Sequence, residues 1–283
     1  VPVEVLDTDE VGAGEAVAPV PPLDAAERGE RRGPAEPVQP TEAGEAADSN
    51  AAAAPAAAGA SSRAPRPKRR PANRGRRLFQ HDRRLGVRFV AGADEAGRGC
   101  LAGPLVAAAV LFDIERLRPA DVRLLTTLND SKQHSHDARE ELYPRVMRVA
   151  TAVHVVSRSA GGIDRRGLHR TNLAALRDAL AGVAVPGCIC LSDGFSVGKD
   201  FPWDTRAIVD GDATSAAIAA ASIVAKVSRD RFMHAADARH PGWGFADHVG
   251  YSTPEHRDAI RRQGVSPLHR LSFASAAYQQ LTL

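Results

Sequence analysis

Four acidic side chains stand where apolar runs begin or end. Asp94 and Glu95 follow a run that closes at Ala93, Asp193 follows the run 188–192, and Asp212 precedes an alanine-rich stretch. Strand ends that share one edge of an α/β sheet are where such folds assemble sites. Four carboxylates gathered there repel one another by up to about 4 kcal/mol per pair at 4 Å in a partly buried setting. Two divalent cations cancel that charge, and ligation by oxygen alone selects Mg2+ or Mn2+ over zinc. The chemistry such a pair supports is in-line displacement at phosphorus. Each acid also has a plainer use. Asp212 suits the N-cap of a helix starting at Ala213, Asp193 before Gly194 suits a turn, and Asp94 with Glu95 suits a solvated loop. Position alone leaves both uses open.

The elements that must hold these acids follow from periodicity. Residues 87–93, 105–112, 151–157, 187–192 and 206–209 read as strands, and 138–149, 168–180, 213–227 and 253–263 as helices. Helix 213–227 is apolar almost all round and therefore central. Strands alternating with helices predict an α/β domain. The glycine-rich link between the first two strands predicts a hairpin, hence a mixed sheet flanked by helices, with a helical C-terminal part. Order is expected to begin near Leu85.

The 283-residue composition is not uniform. All 13 aromatic residues and all 3 cysteines lie beyond residue 78, so residues 1–78 are expected to be a disordered low-complexity extension and 79–283 the globular domain. Residues 1–60 carry 12 acidic and 3 basic side chains, whereas 61–88 carry 11 basic and 1 acidic. The block 63–77 reads as an arm able to meet phosphates or as a solubilising linker. Cys188 and Cys190, one residue apart in an apolar run, suit core packing rather than zinc. His248, His256 and His269 lack ligand spacing and suit hydrogen bonding. No apolar stretch reaches the ~20 residues that span a bilayer. A cytoplasmic monomer without membrane contact is the expectation.

The stretch VAGADEAGRGCLAGPLVAAAV (residues 90–110) closely resembles the signature of ribonuclease HII. Family-like segments follow in order: LNDSK (128–132) with REELY (139–143), LSDGF (191–195), GDATSAAIAAASIVAKVSRD (211–230), and HVGYSTPEHRDAI with SPLHRLSF between 248 and 273. The resemblance implies a ribonuclease H-like fold and a metal-dependent endonuclease. Its substrates would be RNA–DNA hybrids and DNA duplexes with an embedded ribonucleotide, cut on the 5′ side to leave 3′-hydroxyl and 5′-phosphate ends. It places the metal-binding catalytic acids on Asp94, Glu95, Asp193 and Asp212, with two Mg2+ or Mn2+ ions. It also implies that Gly97, Arg98, Gly99 and Tyr251 sense the ribose 2′-hydroxyl, and that Asn129, Ser131 and Lys132 contact backbone phosphates. Ser222 and Lys226, one helical turn apart, are expected to face the site, and Arg229 to pair with Asp230. Four positions depart from the family pattern: Cys100 for proline, His134 for an apolar residue, Val249 for lysine, and Asp210 for a basic residue. Two rival readings are a ribonuclease HIII-type enzyme with a folded N-terminal domain and a hybrid-binding protein without catalysis.

Overall fold

The structure, a computed structural model, describes residues 5–7, 73–129, 131–273 and 278. Strand β1 (Val5–Asp7) is followed by helix α1 (Arg74–Arg84) and strands β2 (Phe89–Ala96) and β3 (Leu105–Asp113). Helices α2 (Pro119–Leu124) and α3 (His136–Val149), strand β4 (Ala152–Arg158), and helices α4 (Ala160–Arg166) and α5 (Leu168–Ala181) come next. Strands β5 (Cys188–Asp193) and β6 (Asp204–Ile208) precede α6 (Ala216–Arg239), α7 (Phe245–His248) and α8 (Pro254–Gln263).

The sheet is mixed, in the order β1-β4-β3-β2-β5-β6. Its first three long strands form an antiparallel meander, confirming the hairpin, whereas β5 and β6 add in parallel beside β2. Ala93 pairs with Ser192, so Asp94 and Asp193 leave neighbouring parallel strands at one edge. Side chains alternate along a strand. Val90, Gly92 and Asp94 therefore face the α6 side, and Ala91, Ala93 and Glu95 the α5 side. Strand β3 is buried along its whole length, covered on both faces.

Why α6 is so rich in alanine follows from its distance to the sheet. A Cβ at Gly92 would lie 2.3 Å from the Ala217 carbonyl carbon, so helix and strand meet backbone to backbone. Every residue from 216 to 225 is buried. The helix begins at Ala216 with Ser215 as its cap, three residues later than the sequence pattern predicts. Asp212 is thereby excluded as the cap and sits in a preceding 3-10 turn, Gly211–Ala213. A second cap arrives from far away: the fully buried Asp82 of α1 accepts the Ala217 N–H at 3.0 Å. A carboxylate at a helix N-terminus meets both the free donors and the positive end of the dipole. Asp82→Ala should therefore cost about 2 kcal/mol of unfolding free energy in urea titrations. A change below a few tenths of a kcal/mol would remove Asp82 from this role.

Order thus begins before Leu85. Helix α1 starts at Arg74, and Leu78 and Phe79 are buried, with Phe79 edge-on to Phe112 at 5.3 Å between ring centres. Gly75 lets the helix sit on the Leu125 carbonyl, which a Cβ would approach to 1.9 Å. These partners are all distant in sequence, and five of the helix's eleven residues are arginine. The rest of the expected low-complexity extension lies outside the described residues, apart from the three residues of β1. Cys188 and Cys190 are buried with their sulfurs 3.7 Å apart, as core packing requires. Among the described residues no helix is long and apolar enough to cross a membrane.

Candidate active site

Asp94, Asp193 and Asp212 each bring a carboxylate oxygen within 4.8 Å of the others. Two strand ends supply the first two. The third is delivered by the turn after β6, which is pinned by the Gly211 N–H donating to Asp193 Oδ1 at 2.7 Å. A side chain at Gly211 would crowd Ile218 and Asp193 at 2.6 and 3.1 Å, so glycine keeps that turn close. Asp94 is oriented by the Glu95 N–H at 2.7 Å and by Ser222, whose hydroxyl also shares a 2.7 Å hydrogen bond with Ser131. Burial raises the Asp94 carboxyl well above its ordinary range, and the charges of Glu95 and Asp193 add to the rise. Burial likewise raises Glu95, against the pull of Arg98 and Asn172.

Glu95 stands on the opposite face of β2 from Asp94 and is not one of the three converging acids. One of its oxygens, Oε2, is buried with no hydrogen-bond partner. Burying such an atom is costly unless something meets it. Three mutually repelling carboxylates and one orphaned carboxylate oxygen form an all-oxygen donor set that fits a hard divalent cation.

Beside the acids the loop 97–104 folds around two fully buried arginines. Arg229 donates to the carbonyls of Pro104 (3.0 Å), Ala102 (3.0 Å) and Val249 (2.8 Å). Arg270 donates to Gly103 through Nε (3.0 Å) and Nη2 (2.8 Å), and to Arg98 O (3.0 Å). The expected Arg229–Asp230 pair is therefore not formed. Asp230 instead takes Lys226 at 2.6 Å and Arg139 at 3.5 Å. Gly97 has φ +85°, and a Cβ there would lie 1.9 Å from Arg229 Nε, so the turn needs glycine on two counts. Gly99 has open space around it. Arg98 lies over the Phe195 ring at 4.5 Å.

Tyr251 lies next to this loop, with the Lys226 ammonium 5.5 Å from its ring centre, and burial followed by Cys100 raises its hydroxyl pKa. Its own loop is held by Gly250 O, which accepts the Leu101 N–H at 2.9 Å. Val249 adopts φ +43°, a left-handed conformation that a β-branched residue avoids. Its carbonyl is the one Arg229 grips. The loop's strain and its clamp thus coincide.

Three histidines complete the support, in the hydrogen-bonding roles expected of them. His269 Nδ1 accepts the Ser266 N–H at 2.8 Å, so its Nε2–H donates to His256 Nε2 at 3.1 Å. That leaves His256 Nδ1–H to donate to Tyr251 O at 2.8 Å. His248 Nδ1 accepts the Gly250 N–H at 3.1 Å, and its Nε2 donates to Trp243 O at 2.7 Å. Each ring is used once as donor and once as acceptor, which only neutral imidazole allows. Burial pushes His256 and His269 down to about 4 from an ordinary value of 6.5. A histidine depressed in the fold takes up protons more readily once unfolded, so it lends stability above pH 6.5 that is lost as pH falls toward 4. Thermal unfolding should accordingly move to lower temperature across that window, with a shallower decline in His256→Gln. Equal slopes for the two proteins would break the relay.

Asn129 and Ser131 are nearly buried, Asn129 donating to Gln133 Oε1 at 2.7 Å and Ser131 supporting Ser222. Lys132 is exposed nearby, and its charge reaches Glu95. Ser222 does face the acids, while Lys226 serves Asp230 and Tyr251. Asp210 is exposed, outside the acid cluster, with its carbonyl accepting Thr214 Oγ1 at 3.0 Å. The clamping roles of Arg229 and Arg270 have no mark in the sequence beyond their place inside the quoted motifs.

The fold is that of the ribonuclease H enzymes. It is similar to ribonuclease H2 from Pyrococcus horikoshii, with a TM-score of 0.57 at 22% identity over 68% of this chain and 96% of that one. It is also similar to Bst ribonuclease HIII solved with Mn2+, with a TM-score of 0.52 at 22% identity over 71% of each chain. The ribonuclease HII family profile matches residues 91–276. Ribonuclease HII of Mycobacterium tuberculosis (strain ATCC 25618 / H37Rv) is 50% identical over 190 residues, 67% of this chain and 70% of that one. Its counterpart in Mycobacterium avium (strain 104) is 49% identical over 191 residues, 67% of this chain and 80% of that one. The chain belongs to the ribonuclease HII family and is a ribonuclease H endonuclease.

Proposed function

We propose that this enzyme hydrolyses the RNA strand of RNA–DNA hybrids and incises 5′ of single ribonucleotides embedded in duplex DNA, leaving 3′-hydroxyl and 5′-phosphate ends. The observation that carries the reading is the convergence of Asp94, Asp193 and Asp212 beside the Gly97 turn, with a Glu95 oxygen left unpartnered. Asp94, Glu95, Asp193 and Asp212 would hold two divalent cations, Mg2+ or Mn2+, and the Mn2+ carried by the structurally similar Bst enzyme supports that choice of metal. Bound there, such cations would supply activation of water at neutral pH and offset charge on the leaving oxygen.

The chain's own residues do the rest. Ser222 and the Glu95 N–H hold Asp94 in one rotamer, and Gly211 holds Asp193 while its turn presents Asp212. Backbone groups of Gly97, Arg98 and Gly99, bare of bulky side chains at both glycines, approach the sugar edge. The 2′-hydroxyl is both donor and acceptor, and it is what distinguishes RNA from DNA at one position. Tyr251, 42% exposed, offers a phenol to the same hydroxyl and a flat face to the adjoining sugar. Asn129, Ser131 and Lys132 would meet phosphates beyond it. We take residues 79–283, completed by all of α1, as the catalytic domain.

A duplex with one ribonucleotide, incubated with Mg2+ or Mn2+, tests the reading. A nick 5′ of the ribonucleotide, absent from an all-DNA duplex and abolished by EDTA, is the expected result. Binding without cleavage would instead make the chain a hybrid-binding protein.

A further inference from the structure

Helix α1 carries five arginines and a single acid, Asp82, which is buried under α6. Arg74, Arg76 and Arg77 crowd the first turn, where no acid stands. Cations at a helix N-terminus oppose the dipole and weaken the helix. Their placement therefore does not serve the helix. Among the described residues no carboxylate pairs with Arg76, Arg77, Arg83 or Arg84, although exposed arginines elsewhere on this surface, such as Arg118 and Arg145, do find acids.

A groove of about 410 Å³ runs along α1, lined by Arg74, Arg77, Gln80 and Arg84 on the helix side and by Ala213 and Thr214 on the other. Arg77, Gln80 and Arg84 are spaced i, i+3, i+7 and so share one helix face. All three are exposed. The far wall is the continuation of the turn that delivers Asp212 to the acid cluster, so the lining residue Ala213 directly follows Asp212 along the chain. At its other end Arg74 reaches Gln133 at 3.4 Å, beside Ser131 and Lys132. Seven residues of helix rise about 10.5 Å, the axial span of about three nucleotides of a strand.

We infer that this groove is a phosphate track: Arg77 and Arg84 take backbone phosphates of the substrate duplex on the side where it passes the Asp212 turn. The track rests on the ribonuclease reading above and extends it with a subsite contributed by α1, which lies ahead of the matched family region at 91–276. Unpaired guanidiniums lining a groove whose far wall continues the Asp212 turn suit an anionic polymer that passes that turn. An acidic peptide is the competing occupant, and the chain's own acidic residues 1–60 are the nearest source of one.

The test is fluorescence anisotropy of a labelled duplex containing one ribonucleotide, titrated with the full-length chain in the Asp94→Asn background so that the duplex stays whole. The comparison is between that protein and the same protein with Arg77→Gln and Arg84→Gln. For two lost phosphate contacts the slope of log K against log salt should fall by about 1.8, with Kd rising roughly tenfold at 0.1 M salt. Arg148→Gln, exposed near the end of α3 away from the acids, serves as the control for net charge and should leave the slope in place. An unchanged slope in the double variant overturns the track. So does tighter binding, which would mean that the arginines hold the chain's own acidic segment. Nicking by the otherwise wild-type chain is read in parallel. Its absence would count against the ribonuclease reading, while a lost salt slope would still locate the phosphate track.

Discussion

Asp94→Asn should abolish nicking, lowering turnover by roughly a thousandfold or more. The factor follows from losing several kcal/mol of charge stabilisation at tenfold per 1.36 kcal/mol. The substitution keeps the shape: an asparagine oxygen can still accept the Glu95 N–H that now meets Asp94 Oδ1 at 2.7 Å. What it removes is charge, and the Asp94 carboxylate is charged at the expense of burial and of repulsion from Glu95 and Asp193. A carboxyl whose pKa is raised by folding loses stability for the fold as pH climbs through that raised value. The variant should therefore be at least as stable as the wild type without metal at neutral pH. Adding Mn2+ should raise the melting temperature of the wild type and leave that of the variant nearly still, because ligand binding to the folded state alone stabilises by mass action. Normal cleavage by Asp94→Asn would sink the assignment. A variant that melts earlier than the wild type in EDTA would instead expose a structural role for the charge.

Arg229→Met is expected to be the most damaging change outside the acids. The side chain is fully buried and feeds three carbonyls, two on the loop 97–104 and one on Val249. Methionine fills much of the volume but donates nothing, so three buried acceptors lose their donor at once. The cost should be about 3–5 kcal/mol, a large share of the 5–15 kcal/mol typical of a domain. Lysine gathers its donors on one nitrogen, whereas three separate guanidinium nitrogens meet the three carbonyls, so it should recover only part. Because the strained Val249 is among the three, its release should also loosen Tyr251. Gly97→Ala attacks the same contact from the other side, through a Cβ 1.9 Å from Arg229 Nε. In a double-mutant cycle the two losses should then be clearly less than additive. Chemical denaturation of the four proteins measures this, and strictly additive losses would show that the glycine and the arginine do not act through one contact.

The acids could be read in the sequence because strand ends and helix starts leave local marks. Ala93 and Ser192 close two apolar runs, and the edge they share follows once the strands are parallel neighbours. The sequence pattern starts the helix at Ala213, three residues early, because Asp212 and Ser215 are both good caps. Only packing decides that Ser215 takes α6 and Asp212 is left for the site. Helix α1 was hidden for a different reason. Its apolar face amounts to Leu78, Phe79 and a glycine, and what makes it fold is Asp82 reaching a backbone amide 135 positions away. Arg229 is similar: its three acceptors are backbone carbonyls, which have no sequence signature at all. Motif order pointed to the family, whereas the clamp that shapes its ribose turn required coordinates.

The sheet order also sets a schedule for the growing chain. Synthesis delivers β2, β3 and β4 as an antiparallel meander before β5 exists, and until Cys188–Asp193 emerges the side of β2 that β5 will cover has no partner. The acids arrive in the same sequence, one strand end at a time, and the last of them comes only with the turn ahead of α6. No incomplete product ending before residue 212 holds the set. The order in which the strands are added thus withholds the complete set of acids from every product that stops short of that turn.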